Sequence, residues 1–492
     1  MKDFNNKDGW LVQLTKNCVY FLGETNMQVI SELCPLHTLF ALFLWYYYGV
    51  AYGFLIGIVI YLVASTILDY MGYQFISGID AISAHEIHQN NIRNCACYMK
   101  CGSLKAEELR EKYFRNKAIL KFRRLRQIWV KFLGFWLFKD ISPETAKHQV
   151  KKITKKIHSE KEIGDYMASL ISTPLDESRP LWEIHVKENF DDDTSIVFIV
   201  FHHIIGDGMG MMNMMTFLND NHNPDILQKH RSIPFLYRYV LPLFYVPLGL
   251  LRFIIDSRVV RGDQSLTPLH LKDGIQSSEK SYHCTKYFEL EDLRKRYTQY
   301  KDTKLNSYMF AIISSSLSDC LEEYGISKEK QTHFSLSVPV NMKPPATCLD
   351  EVEFGNTCSL ALVNVPLGKD MGNTLADLKS KFSKAMTLYN LRFGVWAVSF
   401  MGACPEFLYR IISYGPQKEL DMIISNTPGP KNPIYFCDKK VTDIGGSGPN
   451  VGSTGLTLLI SSYCDKVKVQ ALSDKNLMMD ASKLIKTIES KM

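Results

Sequence analysis

The sequence predicts a mixed α/β protein of two domains preceded by an apolar extension, and three observations support this fold class. The chain has 492 residues, which is more than one compact core usually takes. Continuous β-branched and aromatic runs, such as TSIVFIVF at 194–201, are typical of buried strands and alternate with segments of helical spacing. The 33 residues from Leu36 to Leu68 contain no Asp, Glu, Lys or Arg.

The composition is that of an ordinary globular protein, with 46% hydrophobic and 22% charged residues, so wholesale disorder is excluded. A mean hydropathy of −0.09 excludes a polytopic membrane protein. The 57 basic and 51 acidic residues leave a net charge of +6, which is too small to indicate a nucleic-acid partner. Twelve cysteines are scattered along the chain, and the start MKDFNNKDGW lacks the apolar core of a signal peptide. We therefore expect mostly reduced thiols facing the cytosol.

The uncharged run from Leu36 to Leu68 is predicted to be a membrane anchor, because a spanning helix needs about 20 apolar residues. A single tilted helix and a hairpin bent near Gly49 both fit its length. The alternative is a helix pair buried in a soluble core, although globular helices rarely stay uncharged for so long. We therefore expect membrane lipids as partners. The expected location is the endoplasmic reticulum or lipid-droplet surface with the body facing the cytosol, and a mitochondrial membrane also fits.

A second stretch, Lys112 to Lys139, carries nine Lys or Arg and no acid, interleaved with aromatic residues. It could bind anionic lipid headgroups or form a solvated basic face, and nucleic-acid binding is a third interpretation. A third apolar segment, Tyr239 to Leu251, contains Pro242 and Pro247. It is too short and too proline-broken to span a membrane and suits a crossover between domains.

The remaining elements follow from periodicity and turn residues. Helices are predicted at 164–171, 210–218, 290–300, 305–323, 375–389 and 481–490. Strands are predicted at 334–340, 357–365 and 422–425. A hairpin is predicted to join 456–463 to 466–472 through Cys464 and Asp465.

The candidate chemical centre is FHHIIGDGMG at 201–210, where a buried strand ends in two histidines. Successive strand residues face opposite sides, so only one of His202 and His203 can face a given cleft. A histidine is suited to general-base chemistry near neutral pH, and Asp207 could orient an imidazole or support the loop. Taken alone, two adjacent histidines are more often a satisfied structural pair.

The spacing HHxxxDG after a buried strand resembles the active-site motif of the acyl-CoA-dependent acyltransferase superfamily. Further blocks are similar to those of its wax ester synthase/diacylglycerol acyltransferase family, and they occur in the family's order. These blocks are PLDESRPLWEIHV at 174–186, KLNSYMFAIISSSL at 304–317, SVPVNMK at 337–343 with Gly355–Asn356, ISNTPGP at 424–430 and SSYCDKVKVQALSDK at 461–475. Ser307 and Lys343 stand where the family has aspartate and arginine, and no DFGWG box is present.

The resemblance covers about Gly78 to the end and implies an α/β fold. This expected fold has two chloramphenicol-acetyltransferase-like halves, each a mixed sheet with helices, and the active site would lie between them. Together with the apolar run, this predicts four regions. They are an N-terminal membrane-associated helical segment at 1–70 with its anchor at 36–68, a first half at 71–235 carrying HHxxxDG, a crossover at 236–280 and a second half at 281–492.

The resemblance also implies an enzyme, an O-acyltransferase that esterifies a long-chain alcohol or diacylglycerol to a wax ester or triacylglycerol. His203 would take the proton of the acceptor hydroxyl, whose oxygen then attacks the thioester of the substrate acyl-CoA. Because a thioester is already activated, no metal or other cofactor is expected. Asp207 would brace the loop, and His202 would face the opposite side of the strand.

Four further residues are predicted to contact substrate on the strength of the resemblance. Gly208 would leave room for substrate to approach, and Asn306 would donate a hydrogen bond to the oxyanion. Ser425 and Asn426 lie in the loop that would pack against the site.

Two other interpretations remain beside these. The motif CACYMKC supplies Cys95, Cys97 and Cys101, but no matching second ligand pair appears, so we do not expect a zinc site. Five methionines at 209–215 are either adaptable core filler or the lining of an acyl tunnel.

The alternative function is a non-catalytic lipid-binding or structural subunit of a membrane assembly, which the intact HHIIGDG disfavours.

Overall fold

The computed structural model describes most of the chain. The described residues are 50–85, 92–115, 122–132, 134–210, 212, 219–220, 267–326, 333–342, 354–368, 370–406, 408–409, 420–452 and 454–492. Most of the helix predicted at 210–218 and the segment Tyr239 to Leu251 lie outside these residues.

The main strands and α-helices of the first half and its N-terminal extension are as follows. These elements are α1 Val50–Tyr70, β1 Tyr73–Phe75, α2 Gly78–Ala81, β2 Asn94–Gly102, α3 Ala106–Arg115, β3 Gln127–Phe132, β4 Phe135–Asp140, β5 Val150–Lys152, α4 Glu160–Ser172, β6 Trp182–Lys187 and β7 Thr194–His202.

The main strands and α-helices of the second half follow. These elements are β8 Lys280–Cys284, β9 Phe288–Glu289, α5 Leu290–Tyr297, α6 Leu305–Glu323, β10 His333–Asn341, β11 Cys358–Pro366, α7 Met371–Ala385, α8 Leu388–Ala403, β12 Met422–Thr427, β13 Tyr435–Phe436, β14 Lys439–Ser447, β15 Leu456–Tyr463, β16 Lys466–Asp474 and α9 Ala481–Lys491.

The strand β7, which carries the histidine pair, lies inside a six-stranded sheet of order β13-β14-β2-β7-β6-β5. It runs antiparallel to both neighbours, and only β5 and β6 pair in parallel. Its side chains alternate between two hydrophobic cores, with Val197, Ile199 and Phe201 in one and Ile196, Phe198 and Val200 in the other. Burial on both faces explains why the strand is apolar at every position from Ile196 to Phe201.

The second half is built on a seven-stranded sheet of order β11-β10-β12-β15-β16-β8, with β9 also paired to β16. The pairs β10–β12 and β12–β15 are parallel and the others antiparallel, so this sheet is mixed as predicted. One face packs against α6, α7 and α9, where Leu317, Leu378 and Leu484 are fully enclosed. The predicted hairpin joins β15 to β16, and Cys464 and Asp465 both take positive φ in its two-residue turn.

A segment of the second half crosses over and joins the sheet of the first half. Residues 435–447 form β13 and β14, and β14 pairs antiparallel with β2 in the sheet of the first half, placing Ile444 opposite Met99. The boundary predicted at residue 281 between the two halves stays a prediction. The pairing of β14 with β2 shows that a segment of the predicted second half belongs to the sheet of the first. The helix predicted at 375–389 is instead two helices, because α7 ends at Ala385 and α8 begins at Leu388.

The predicted anchor at 36–68 lies partly outside the described residues, and its described part belongs to α1. Eight large apolar side chains on α1 and the turn after it are exposed, namely Leu55, Ile56, Val59, Ile60, Val63, Ile67, Tyr70 and Met71. Within the described residues, no helix is both long enough and apolar enough to cross a membrane. The expectation of a membrane-spanning segment is therefore not supported.

The described part of the basic stretch from Lys112 to Lys139 contains the end of α3, all of β3 and most of β4, and the two strands lie in a three-stranded sheet of order β1-β4-β3. Several of its cationic groups are paired with carboxylates, namely Lys112 with Asp220, Arg123 with Asp69 and Asp140, Arg124 with Asp80, and Lys131 with Glu406. Its aromatic residues Phe122 and Trp129 are buried. The described part of this stretch thus combines ion-paired basic groups and buried aromatic rings with an exposed Phe132, and its binding partner stays a prediction.

The short helix α2 is held in very close contact with α8. A Cβ added at Gly402 would overlap the carbonyl oxygen of Gly78, and one added at Gly78 would overlap the carbonyl oxygen of Ser399. Only glycine at these two positions allows the two backbones to approach so closely. This contact determines where α2 lies relative to the second half.

Candidate active site

His203 lies in the turn that follows β7. The main-chain N–H of His203 donates to the carbonyl oxygen of Arg93 at 2.7 Å. The carbonyl oxygen of His203 accepts a hydrogen bond from Asn356 Nδ2 at 2.7 Å. The imidazole is half-buried, and its Nδ1 is enclosed without a hydrogen-bond partner among the described residues. The backbone on both sides of the ring is therefore tied to neighbouring elements, while the ring itself is left available for chemistry.

The electrostatic surroundings keep His203 neutral at physiological pH. Burial lowers its pKa below the ordinary value of 6.5, and the nearby guanidinium of Arg93 adds to this effect. The carboxylates of Asp207 and Asp80 and its own carbonyl oxygen act in the opposite direction without cancelling it. A neutral imidazole is the form that can accept a proton, as a general base must.

His202 occupies a different environment from its neighbour. It is buried, packs on the Trp129 ring at a centroid distance of 4.9 Å, and its Nδ1 accepts the N–H of Ile204 at 3.2 Å. Burial, followed by the proximity of His203 and Arg93, lowers its pKa to about 3. This placement favours a packing role for His202.

Asp207 braces the motif loop through main-chain N–H groups. Its Oδ1 accepts from Met209 N at 3.0 Å and from Gly210 N at 3.2 Å, and its Oδ2 accepts from Thr357 N at 2.9 Å. The last bond joins the loop to the second half, just before β11. The bracing role predicted for Asp207 agrees with this geometry, and within the described residues the bonds it makes go to N–H donors and not to a cationic side chain.

The residues predicted to contact substrate lie along the boundary between the two halves. A Cβ at Gly208 would lie 3.4 Å from Thr427 Oγ1 at the end of β12, in the strand that also carries Ser425 and Asn426. Asn426 Nδ2 donates to Asn306 Oδ1 at 2.7 Å, so the start of α6 is joined to the same strand end. The structure thus brings Gly208, Asn306 and Asn426 to one seam beside the His203 loop.

Three side chains of the site were not among the predicted site residues. Asp80 on α2 is 1% exposed and accepts hydrogen bonds from Ser77, Arg124 and Asn356. Arg124 was interpreted as part of a basic face, and Asn356 only as part of a sequence block. The sequence signal available was a Ser-x-x-Asp helix start at 77–80, because Ser77 caps α2.

The cysteine cluster of β2 is part of the hydrophobic core. Cys95, Cys97 and Cys101 are all buried, and burial raises the pKa of Cys97 and Cys101 to about 12. Over the described stretches, no group of three or more His, Cys, Asp or Glu side chains converges as metal ligands do. The expectation that the reaction needs no metal stays a prediction.

Two family models match the chain. The wax ester synthase/diacylglycerol acyltransferase catalytic domain matches residues 100–237, and the WS/DGAT C-terminal domain matches residues 354–492. The chain is 24% identical over 382 residues to wax ester synthase/diacylglycerol acyltransferase 7 of Arabidopsis thaliana, an alignment covering 66% of this chain and 77% of the relative. It is 22% identical over 353 residues to a probable diacylglycerol O-acyltransferase of Mycobacterium tuberculosis, with 67% and 74% covered.

Solved structures share the fold. The wax ester synthase/diacylglycerol acyltransferase from Marinobacter aquaeolei VT8 matches with a TM-score of 0.55 over 83% of this chain and 96% of that one, at 16% identity. A starter condensation domain of rhizomide synthetase, in complex with C8-CoA and Leu-SNAC, matches with a TM-score of 0.56 over 84% and 90%, at 11% identity. These similarities confirm the predicted α/β fold of two mixed-sheet halves.

The two matched regions together span more than half of the chain and include the HHxxxDG motif, the ISNTPGP block and the C-terminal hairpin. They confirm the resemblance predicted from those blocks. The chain belongs to the wax ester synthase/diacylglycerol acyltransferase family and is an O-acyltransferase.

Proposed function

We propose that this enzyme transfers the acyl group of acyl-CoA to the hydroxyl of a long-chain alcohol or diacylglycerol, with His203 as the general base. The observation that carries the proposal is the placement of His203, a half-buried imidazole on a loop whose backbone is held by hydrogen bonds on both sides, where burial lowers the pKa of the ring. The names of the relatives, for wax ester synthesis and diacylglycerol acylation, support these acceptors.

In the proposed reaction, the imidazole of His203 removes the acceptor's hydroxyl proton as the oxygen attacks the thioester carbonyl. The resulting tetrahedral oxyanion collapses by breaking the C–S bond, and the CoA thiolate leaves. The thiolate then takes the proton from the imidazolium, which returns His203 to the neutral form. General-base catalysis of this type contributes about 10²–10⁴-fold to the rate.

We propose Asn306 as a hydrogen-bond donor to the oxyanion. Its Oδ1 already accepts a hydrogen bond from Asn426, which leaves its Nδ2 available to donate. It is also the second residue of α6, and the N-terminus of a helix favours negative charge. Hydrogen-bond donors held in place before the reaction stabilise developing charge more effectively than water does, because they need little reorganisation.

The pH dependence of kcat/KM should report the lowered pKa of His203. Because only the neutral imidazole is a base, activity should be lost as pH falls through that pKa, with the acid limb centred below pH 6.5. Asp207→Asn removes a negative charge that raises this pKa, so its acid limb should lie at still lower pH. Initial rates between pH 4 and 8 measure both limbs, and Asp176→Asn, an exposed carboxylate in another loop, is the control. An acid limb above pH 6.5 in the wild type would contradict the assignment.

A product assay tests the reaction itself. Purified protein would be incubated with long-chain acyl-CoA and either a long-chain alcohol or diacylglycerol, and the ester products separated by mass. We expect ester formation that depends on acyl-CoA and on His203 with at least one acceptor, and the ratio of the two products identifies the preferred acceptor. No ester with either acceptor would contradict the proposal and favour a non-catalytic lipid-binding protein of the same fold.

We also propose that the body rests on a lipid surface through α1, facing the cytosol on the endoplasmic reticulum or a lipid droplet. The support is the exposed apolar stripe of α1, since apolar surface of this kind gains free energy when it leaves water. In vesicle flotation, the wild type should float with the lipid, and Val59→Glu/Val63→Glu should float less. Lys379→Glu, an exposed charge change on α7, should behave as the wild type. Equal flotation of the α1 variant and the wild type would contradict the proposal.

A further inference from the structure

The carboxylate of Asp80 is the centre of a hydrogen-bond network behind the His203 loop. Its Oδ1 accepts the main-chain N–H and the Nδ2 of Asn356, both at 2.7 Å. Its Oδ2 accepts Ser77 Oγ at 2.9 Å and Arg124 Nη1 at 2.6 Å. All four contacts come from donors, so both oxygens of an ionised carboxylate are used, and a neutral amide could not accept all four.

Two of these donors continue to the motif loop. Asn356 Nδ2 also donates to the carbonyl oxygen of His203 at 2.7 Å, and Arg124 Nη1 donates to the carbonyl oxygen of Ile204 at 3.3 Å. Two consecutive carbonyls at and after the base are thus held by side chains that Asp80 itself orients. Because a ring is directed by the backbone that carries it, fixing these carbonyls also restricts the orientation of the His203 imidazole.

We propose that Asp80 is a positioning residue for acyl transfer, which holds the backbone of His203 and Ile204 in place through Asn356 and Arg124. The proposal rests on the role of His203 as the base. Asp80 lies before the first residue that the family models match. It touches none of the atoms proposed to react, and its effect passes through the two side chains that it orients.

The position of Asp80 is itself fixed by tertiary contacts. It lies on α2, which is capped by Ser77 and pressed against α8 at Gly402. Gly355 lies beside the network with φ of 134°. A Cβ there would lie 3.2 Å from Arg124 Nη1, so the loop before β11 closely approaches the Asp80–Arg124 ion pair. One carboxylate therefore connects α2, the segment before β3 and the loop before β11 to the motif loop.

The test uses Asp80→Asn and Asn356→Ala in the full chain, with kcat, KM and the titration of the His203 imidazole followed by NMR. Asp80→Asn should lower kcat at least about 10-fold, because a small misplacement of the base has a large effect on rate, with KM for acyl-CoA within about 2-fold. Since the Asp80 charge raises the pKa of His203, the titration and the acid limb should both move to lower pH. Asn356→Ala keeps that charge, so it should lower kcat without moving the acid limb to lower pH.

Asp474→Asn is the matched control, because Asp474 is an equally buried carboxylate that binds Lys280, Ser277 and Asn476 instead of the motif loop. It should lower the unfolding temperature but leave kcat per folded enzyme and the His203 titration unchanged. Two results would overturn the positioning role even if His203→Ala is inactive. One is a kcat and a His203 titration in Asp80→Asn that equal those of the wild type. The other is that Asp474→Asn lowers kcat and shifts the His203 titration in the way expected of Asp80→Asn. If Asp80→Asn does not fold, unchanged kcat in Asn356→Ala would overturn it. If the wild type forms no ester, the reaction is wrong, and the NMR titration still decides whether Asp80 acts on His203.

Discussion

His203→Ala should lower turnover by at least about 10²-fold while leaving the fold intact. The side chain is half-buried and its Nδ1 has no hydrogen-bond partner within the described residues, so its removal takes away the proposed base at little structural cost. Loss of general-base catalysis accounts for about 10²–10⁴-fold, which corresponds to about 3–5 kcal/mol of transition-state stabilisation. Ester formation at saturating substrate, normalised to folded protein, measures the effect, and KM for acyl-CoA should change little.

His202→Ala is the informative comparison for this experiment. Its ring packs on Trp129 in the core and its Nδ1 accepts the N–H of Ile204, so its loss creates a cavity and leaves a donor unpaired. We expect a lower free energy of unfolding in urea and a smaller fall in kcat per folded molecule than in His203→Ala. Equal turnover of His203→Ala and the wild type would remove the catalytic assignment, and a larger loss in His202→Ala would transfer it to the other histidine.

Gly402→Ala should destabilise the protein, although alanine normally stabilises a helix relative to glycine by about 1 kcal/mol. Gly402 lies in α8, and its added methyl group would overlap the carbonyl oxygen of Gly78 in α2. The two helices must move apart, and forcing extra atoms into a packed contact costs about 1–3 kcal/mol. Because α2 carries Asp80, kcat should fall as well. Urea unfolding followed by circular dichroism measures the loss of stability.

The matched control for this change is Gly372→Ala in α7. A Cβ at Gly372 would lie 3.6 Å from Asp370 Oδ1, which is an ordinary contact, so helix propensity should dominate there. We expect unchanged or slightly higher stability in that variant. A Gly402→Ala protein as stable as the wild type would mean that α2 and α8 do not pack as closely as this contact requires.

Much of the secondary structure could be predicted from local pattern. The run at 196–201 is buried on both faces of a sheet, so each of its positions is apolar and the strand can be recognised from the sequence. The turn at Cys464 and Asp465 could be located because apolar strands flank it on both sides. The break between α7 and α8 was not predicted, since the apolar spacing continues through it. In the structure, Thr387 and Asn390 donate side-chain hydrogen bonds to the carbonyl oxygen of Lys384 at the end of α7, and α8 packs on α2 and β11.

The sequence alone determined the motif and, through it, the proposed base, because HHIIGDG and the apolar run before it are contiguous in the chain. Only the tertiary structure decided how that loop is held. Asp80, Arg124 and Asn356 lie far apart in the chain, and they meet because α2, the segment before β3 and the loop before β11 pack together. The same holds for β14, which completes the sheet of the other half. Such pairings depend on which surfaces exclude water together, and no local periodicity encodes that choice.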